Sequence, residues 1–248
     1  MAGMTDDLFR QDAYLRECSA HITAVTDAGI VLDRTVFYPL GGGQAGDSGV
    51  LMLADVTEIA MADTREGKDA EGNAPNNSVH VPAPGQEALL AALAPGTTVT
   101  ARIDWERRHR MMRLHTTSHL LCHVVPQLVN GCSITPDYAR LDFAMTDPLD
   151  KEQLTAAIAT LVAAAHPLTV ASISDEELDA NPALVKSMSV QPPRGTGRIR
   201  TIRIGGEGDA PLIDLQPCGG THVANTAEIG AIVVTKIEKK SATTRRVV

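Results

Sequence analysis

Two five-residue clusters of metal-binding side chains lie about a hundred residues apart in this chain. The first, His115-Thr-Thr-Ser-His119, lies in a stretch without glycine or proline and with a helical apolar rhythm, so its two histidines project from one face of a helix. The second, Cys218-Gly-Gly-Thr-His222, follows an apolar run that stops at Pro217, which places its cysteine and histidine on a turn able to wrap around an ion. A fold that joins the two clusters makes one metal site.

Histidine nitrogen and cysteine sulfur favour zinc over magnesium or calcium, which prefer oxygen ligands. The set His115, His119, Cys218 and His222 therefore predicts one zinc ion per chain. The pairs lie too far apart for the ligand loops of a small zinc finger. Four protein ligands close a structural site, whereas a catalytic zinc keeps one position for water or substrate, and the sequence leaves both possibilities open. His123 lies four residues beyond His119, and we interpret it as a core residue or a neighbour of the ligands.

The composition is that of an ordinary globular protein of one large or two modest domains, with 248 residues, 44% hydrophobic and 21% charged. The four cysteines are irregularly spaced, and no apolar run approaches the roughly 18 residues of a membrane span. We therefore expect neither a disulfide scaffold nor a membrane protein, and a reducing cytoplasm fits best. The net charge of -8 argues against general nucleic-acid binding through bulk electrostatics.

Two local clusters of basic residues could still contact phosphates. One is Arg107–Arg110 with Arg113, just ahead of the first histidine pair, and the other is the tail Lys239–Arg246. We interpret each as a solvated charged face, with phosphate contact as the alternative.

The first hundred residues are rich in predicted strands. Short apolar or β-branched runs between turn residues predict strands at Ala20–Val25, Gly29–Phe37, Gly49–Ala60 and Gly96–Asp104. The stretch from Ala62 to Pro84, rich in Asp, Glu, Asn, Gly and Pro, is predicted to be an exposed hairpin or loop. Together these runs predict a small β-barrel, and a boundary near Asp104 divides the chain into domains 1–104 and 105–248.

After Asp104 the pattern changes to mixed helices and strands. Helices are predicted from Trp105 to about Val129, from Asp150 to Ala165, and from Ser174, where Asp-Glu-Glu supplies an acidic first turn. Strands are predicted at Ala139–Phe143, Arg198–Ile204, Pro211–Leu215 and Gly230–Ile237. The second half is therefore expected to be α+β with mainly antiparallel pairing.

A glycine-rich motif lies in the N-terminal half. The segment Phe37-Tyr-Pro-Leu-Gly-Gly-Gly-Gln-Ala-Gly-Asp-Ser-Gly49 has five glycines in nine positions, which lets backbone amides approach a ligand or another part of the protein closely. It is not a P-loop, because no Gly-Lys-Ser/Thr follows, and its glycine spacing is not that of a dinucleotide-binding fingerprint. Taken alone, it indicates a structural turn.

Three motifs follow one another in this chain: the glycine-rich motif, the His-x-x-x-His helix and the run Asp214-Leu-Gln-Pro-Cys-Gly-Gly-Thr-His-Val223. In this order they resemble the AlaX family, whose members are freestanding relatives of the editing domain of alanyl-tRNA synthetase. The resemblance covers essentially the whole chain and fits the medium-length class. It implies an α+β protein, with an N-terminal β-barrel like that of translation factors and a zinc-containing editing domain shared with threonyl-tRNA synthetase. It also implies hydrolysis, in trans to the synthetase and without ATP, of alanine-specific tRNA mischarged with serine or glycine.

The chemistry of editing explains which side chains the resemblance implies as functional residues. A pocket for alanine cannot strongly reject serine, which only adds a hydroxyl, so a second site that hydrogen-bonds this hydroxyl is needed. The resemblance implies Thr135 as the residue that reads it. It also implies that Gln44 contacts the substrate end and that the Thr117 or Thr221 hydroxyl places water. Whether zinc activates that water or anchors the substrate amino group stays open.

The resemblance further implies contacts with mischarged alanine-specific tRNA. Gly41, Gly42 and Gly43 are expected near the substrate end, and Arg245 and Arg246 at acceptor-stem phosphates. No nucleotide cofactor is expected.

Two other functions remain open at this stage. One is a non-catalytic tRNA-binding module with a structural zinc, which the complete ligand set disfavours. The other keeps the fold and the hydrolysis but changes the substrate to another mischarged tRNA or to free amino-acid esters.

Overall fold

The computed structural model describes residues 4–67, 77–189, 191–192, 197–206, 208 and 210–248. These residues form two compact units. The first comprises the chain through Gly41 and Ala45–Arg110, and the second comprises Gly42–Gln44 and Met111–Val248. The domain boundary near Asp104 stays a prediction, since the helix that begins at Trp105 contributes residues to both units.

Antiparallel strands dominate the first unit. Its elements are β1 (Asp6–Asp7), β2 (Glu17–Thr26), β3 (Gly29–Leu32), β4 (Arg34–Thr35), β5 (Gly49–Met52), β6 (Glu58–Glu66), β7 (Ser78–Pro82), the short helix α1 (Glu87–Leu90) and β8 (Thr98–Ile103). Six strands close into a barrel in the order β2-β3-β7-β6-β5-β8. The predicted small β-barrel is confirmed, and its likeness to translation factors stays a prediction.

Alternation along the strands fills the barrel. Ala20 and Ile22 of β2, and Val99 and Ala101 of β8, point into one buried apolar cluster, as the two-residue period of a strand requires. His80 of β7 is also fully buried. Its Nε2 lies 2.8 Å from the Thr35 hydroxyl and its Nδ1 lies 3.0 Å from the Ile30 carbonyl oxygen. Both ring nitrogens therefore have neutral partners.

One strand prediction in this unit was wrong, and one hairpin prediction was right except for its exposure. The run Gly49–Ala60 is two strands, because a turn at Asp55, whose carboxylate accepts the Thr57 amide at 3.0 Å, interrupts it. The apolar neighbours of this turn concealed it. The stretch 62–84, predicted as an exposed hairpin or loop, is a hairpin: it holds most of β6 and all of β7, which pair antiparallel, while residues 68–76 lie outside the described part. The predicted exposure was wrong for Thr64 and His80, which are buried, because one face of an antiparallel strand can meet water while the other packs inward.

Arg108 was predicted to lie on a solvated face, and that was wrong. Its side chain is fully buried in the first unit and ion-paired with Asp47 of the glycine-rich motif, itself 1% exposed. The Arg108 Nε lies 2.9 Å from an Asp47 carboxylate oxygen, and its terminal nitrogens donate to the Val36 and Ala13 carbonyls at 2.6 and 3.0 Å. A buried arginine is tolerated only with such partners.

The second unit combines two antiparallel sheets with helices. Its elements are α2 (Trp105–Val124, shared with the first unit), β9 (Val129–Ile134), β10 (Ala139–Ala144), α3 (Lys151–Ala163), β11 (Leu168–Ile173), α4 (Asp175–Ala180), β12 (Ile199–Gly205), β13 (Leu212–Pro217), β14 (Ile237–Ser241) and β15 (Thr244–Val247). The sheets have the orders β14-β15-β10-β9 and β11-β12-β13. The predicted α+β class with antiparallel pairing is confirmed. None of the helices in the described ranges is long and apolar enough to span a membrane.

Helix starts in this unit follow the sequence closely. Asp150 caps α3 by accepting the Gln153 amide at 2.7 Å, and Ser174 forms a capping box with Glu177 at the start of α4. Helix α2, predicted to reach about Val129, ends at Val124, before Pro126.

Two further predictions for the second unit were wrong. The strand predicted at Gly230–Ile237 begins only at Ile237, and Val233 before it is 63% exposed. His123, interpreted as a core residue or a neighbour of the metal ligands, is exposed. Apolar content did not predict where the strand begins, and four-residue spacing did not predict whether His123 is buried, because packing against distant residues determines both.

Candidate metal centre

Helix α2 supplies the first half of the cluster. His115 and His119 are 5% and 4% exposed, and their ring centroids lie 5.5 Å apart. The interval of four residues places both rings on one helix face, as predicted from the sequence.

The turn after β13 supplies the second half. Cys218 follows the proline that ends the strand, and His222 is 4% exposed. The Arg200 guanidinium fixes the turn by donating to the Cys218 and Gly220 carbonyls at 2.6 and 3.0 Å. Gly220 has to be glycine, because a β-carbon there would collide with the His115 imidazole.

The four predicted ligand atoms converge. One donor atom each from His115, His119, Cys218 and His222 all lie within 4.8 Å of one another. The Cys218 sulfur is 3.5 Å from His115 Nε2 and 3.3 Å from His222 Nε2. Tetrahedral zinc with ordinary Zn–S and Zn–N bonds separates sulfur and nitrogen by about 3.6 Å. The donor set and its spacing therefore fit a zinc ion.

Gln44 orients the first imidazole. Its Oε1 accepts the Thr221 amide hydrogen at 3.1 Å, and its Nε2 donates to the Thr221 hydroxyl at 2.8 Å, so Oε1 is fixed as an acceptor. His115 Nδ1, 2.7 Å from that oxygen, must then carry a hydrogen. The other ring nitrogen, Nε2, keeps its lone pair and faces Cys218. Gln44 is 1% exposed, so this arrangement is shielded from water.

The other two imidazoles have partners of their own. His119 Nδ1 lies 2.7 Å from Asp214 Oδ2, and Asp214 is in turn ion-paired with Lys186. His222 Nδ1 lies 3.2 Å from the Thr116 hydroxyl. Each ring thus uses Nδ1 for an outer partner and turns its remaining nitrogen inward, the arrangement that metal-binding histidines require.

The electrostatics of the cluster favour the thiolate form of Cys218. Burial raises the pKa of Cys218, but the neighbouring His115 and His222 rings outweigh burial and hold it well below its usual range. Burial and the His115 ring lower the pKa of His222 to about 3. For His119, burial opposes the charged form, yet the bond to Asp214 and the Cys218 sulfur outweigh it and raise the pKa to about 9. Metal binding requires the thiolate and neutral imidazoles, so a bound cation would have to displace the proton that His119 holds at neutral pH.

Two predicted catalytic hydroxyls make bonds elsewhere. Thr117 donates to the Arg113 carbonyl one helical turn back, at 2.9 Å. Thr135, just after β9, accepts the amides of Asp137 and Tyr138 at 3.2 Å and lies 3.3 Å from the Tyr138 carbonyl oxygen. Their catalytic roles stay predictions.

The three central glycines of the motif divide between the units. Gly42 and Gly43, which have positive φ angles of 57° and 87°, lie in the second unit with Gln44. The Gly43 carbonyl accepts the Ile134 amide at 2.7 Å, which pairs this segment with the end of β9. Gly41 lies in the first unit, where its carbonyl accepts the Tyr38 hydroxyl at 2.9 Å. The turn at Gly42 and Gly43 therefore places the Gln44 side chain beside His115.

The predicted phosphate-binding arginines are engaged within the protein. Arg245 is 8% exposed and donates to the carbonyls of Ser241, Thr244 and Thr146. Arg246 makes a two-pronged ion pair with Asp142 at 2.7 and 2.8 Å. Contact of either residue with tRNA stays a prediction.

Sequence reasoning missed three residues around the cluster. Asp214 carries a signal in hindsight, since a carboxylate inside the apolar run of β13 needs a buried partner. Thr116 adjoins His115 but shows no pattern of its own. Lys186 lies in a loop far from both motifs and gave no signal.

Sequence comparisons with known proteins match two parts of the chain to tRNA synthetase families. Residues 199–248 match a family described as threonyl and alanyl tRNA synthetase second additional domain, and residues 10–107 match tRNA synthetases class II (A). Alanyl-tRNA editing protein AlaX-M of Saccharolobus solfataricus is 31% identical over 98% of this chain and 98% of its own length. The chain belongs to the AlaX family. AlaX-M of Methanosarcina acetivorans is 32% identical over 98% of this chain and 97% of its own length.

A longer relative contains a region similar to this chain. Alanine–tRNA ligase of Metallosphaera sedula is 34% identical over 95% of this chain, which spans 25% of the ligase. The family predicted from the three motifs is therefore confirmed, and this AlaX family member matches about a quarter of a synthetase.

Proposed function

We propose that this AlaX family member is a zinc-dependent hydrolase that deacylates alanine-specific tRNA mischarged with serine or glycine, in trans to the synthetase and without ATP. The names of its full-length relatives support the substrate class. The observation that carries the proposal is the convergence of one thiol and three imidazoles within 4.8 Å. Each imidazole has an outer partner on Nδ1, so the cluster is built to present lone pairs to a cation.

His115, His119, Cys218 and His222 would hold the zinc. When bound, zinc supplies a Lewis acid that polarises an ester carbonyl or lowers the pKa of a water molecule to about 7. Soft sulfur and borderline nitrogen donors without carboxylate ligands disfavour magnesium and calcium.

In this proposal, Gln44 fixes the positions of His115 and Thr221 relative to each other through hydrogen bonds. One amide group satisfies a ring N–H, a backbone N–H and a hydroxyl together. The Thr221 hydroxyl accepts from Gln44, the outer partner of His115, whereas the Thr117 hydroxyl donates to its own helix. We therefore favour Thr221 over Thr117 for placing a water molecule.

Thr135 is the proposed reader of the substrate hydroxyl. Its oxygen already accepts two amides, and its remaining hydrogen is aimed at the Tyr138 carbonyl over a long 3.3 Å contact. A serine hydroxyl can replace that weak partner, whereas alanine has no group to do so. A site that depends on such a bond rejects the analogue lacking it by about 10⁴ to 10⁵.

The tRNA contacts of Gly41, Gly42 and Gly43 and of the two terminal arginines belong to the same proposal. Arg246 is the better candidate of the pair, because its side chain is 18% exposed, whereas Arg245 is enclosed by carbonyls. A phosphate would compete with Asp142 for the Arg246 guanidinium.

The test is deacylation of seryl-tRNA specific for alanine, with correctly charged alanyl-tRNA as the substrate control. Wild type should release serine and spare alanine, and Cys218→Ala and His222→Ala should each lose the activity. Cys18→Ala is the matched control, since Cys18 is also a free, partly buried cysteine but lies in the barrel. It should behave like wild type.

Two results would contradict the proposal in different ways. Zinc-loaded wild type that binds the tRNA but releases no serine would leave a tRNA-binding module with a structural metal. Equal release of serine from threonine-specific tRNA would show that the alanine-specific acceptor stem is not what the protein recognises.

A further inference from the structure

We propose that Lys186 is a positioning residue of the metal centre, which clamps Asp214 so that its carboxylate fixes the His119 ring and sets the affinity for zinc. The inference rests on the zinc site of the proposed function but not on tRNA hydrolysis.

The contacts form a three-residue relay. The Lys186 ammonium is ion-paired with Asp214 Oδ1, and Asp214 Oδ2 accepts from His119 Nδ1 at 2.7 Å. Gln216 Nε2 donates to the same Oδ2 at 2.8 Å. Both carboxylate oxygens are therefore committed, one toward the cation and one toward the metal ligand.

The Asp214 carboxylate differs from the other two outer partners because it is charged and therefore requires a counter-ion such as Lys186. Gln44 and Thr116, which hold the rings of His115 and His222, are neutral. Asp214 carries a charge and its side chain is 0% exposed. A buried carboxylate without a counter-ion is costly, and removing one partner of a buried ion pair leaves the other to seek new contacts. Without Lys186, Asp214 would be free to leave His119.

The backbone around Lys186 is held in place. Its carbonyl accepts the Val129 amide at 2.9 Å, and the Val129 carbonyl accepts the Met188 amide at 2.9 Å, so the segment pairs with the start of β9. A 3₁₀ turn at Pro182–Leu184 precedes it. The lysine, 27% exposed, thus projects from a fixed main chain toward Asp214.

The sign of the effect separates two explanations. A cation near a zinc site weakens zinc binding by simple repulsion, so a lysine that acted only as a charge would tighten binding when removed. A lysine that holds the ligand's partner weakens binding when removed, because the His119 ring loses its fixed orientation. Loss of an outer partner typically costs about 10- to 100-fold in metal affinity.

The experiment is a zinc titration of the metal-free full chain against a competing chelator. Lys186→Met should weaken zinc binding about 10-fold, whereas Lys186→Arg, which keeps the ion pair, should stay near wild type. Lys236→Met is the matched control, because Lys236 also pairs with a carboxylate, Glu238 at 2.7 Å, but at a side chain that is 62% exposed. It should leave the affinity unchanged.

A double variant tests whether Lys186 acts through Asp214. Asp214→Asn alone should weaken binding about 10- to 100-fold. Adding Lys186→Met to it should cost nothing more, because the interaction has already been removed. Unchanged or tighter binding by Lys186→Met, or additive losses in the double variant, would overturn the proposal.

Thermal unfolding of the metal-free variants excludes a purely structural role. If Lys186→Met lowers stability while the folded protein keeps the wild-type zinc affinity, the lysine only supports the fold and the proposal fails. Wild type that binds zinc but does not hydrolyse seryl-tRNA would refute the proposed function and leave this relay intact.

Discussion

Two buried histidines, His80 in the barrel and His119 in the second unit, experience opposite environments. His80 is fully buried and His119 is 4% exposed. Burial lowers the pKa of His80 to about 4, since its partners are a hydroxyl and a carbonyl. Burial also opposes charge on His119, but Asp214 and Cys218 outweigh it and raise the pKa to about 9. Burial alone lowers the pKa of a histidine, and the charge of its partners decides whether the pKa ends below or above the ordinary value.

The contrast extends to the polar groups around each histidine. In the first unit, Arg108 is paired with Asp47, and His80 of the barrel has two neutral partners, so these polar groups are satisfied within the fold. In the metal centre, the inward nitrogens of His115 and His222 both face the Cys218 sulfur. That inward arrangement of donor atoms fits a bound cation.

The sharpest test of this contrast exchanges the two histidines for neutral residues. His119→Ala should weaken zinc binding by about 10³-fold, because it removes one of four ligands that together contribute roughly 10–16 kcal/mol. Loss of seryl-tRNA hydrolysis should accompany it. His80→Gln should keep the zinc content of wild type, measured by metal analysis of the purified protein. Zinc loss in His80→Gln would break the comparison.

Removing the buried Arg108 side chain should lower the free energy of unfolding without changing zinc binding. Arg108→Met leaves Asp47 buried without its partner, which should lower the free energy of unfolding by about 3–5 kcal/mol. The chain has a single tryptophan, Trp105, packed against the barrel core, so its fluorescence in urea reports this unit. Arg65→Met, at an exposed pair with Asp63, is the control and should change little. A comparable loss in both variants would contradict the assignment.

The depressed pKa of His80 predicts an acid-sensitive barrel. Its folded value of about 4 lies below the ordinary 6.5, so the unfolded chain binds a proton first as the pH falls. The stability should be complete above pH 6.5 and should decline by about 3 kcal/mol as the pH approaches 4. His80→Gln should flatten the slope in urea titrations followed by Trp105. An unchanged slope would mean that other groups set the acid sensitivity.

The smallest effect is expected for Gln44. Gln44→Ala removes the outer partner of His115, but Cys218, His119 and His222 remain, so zinc affinity should fall only about 10-fold. Chelator competition measures it, and Gln153→Ala on the exposed face of α3 is the control. If Gln44→Ala bound zinc like wild type while hydrolysis fell, Gln44 would act on the substrate rather than on the ligand.

Local patterns predicted the features whose partners lie nearby in sequence. The four-residue interval put His115 and His119 on one helix face, Asp150 and Ser174 capped α3 and α4, and short apolar or β-branched runs between turn residues indicated the barrel. Where burial depended on distant partners, prediction failed: 62–84 is a hairpin as predicted, but Thr64 and His80 within it are buried rather than exposed.

The sequence by itself determined the four candidate ligand residues, the family and the α+β class, because residue type and short-range spacing restrict these strongly. The tertiary structure decided which neighbour orients each ligand: Gln44 for His115, Asp214 for His119 and Thr116 for His222. It also decided that Arg108 is buried and that Lys186 reaches Asp214. These pairings join residues far apart in the chain, and a hydrogen bond or ion pair depends on ångström-scale placement that only the packed fold supplies.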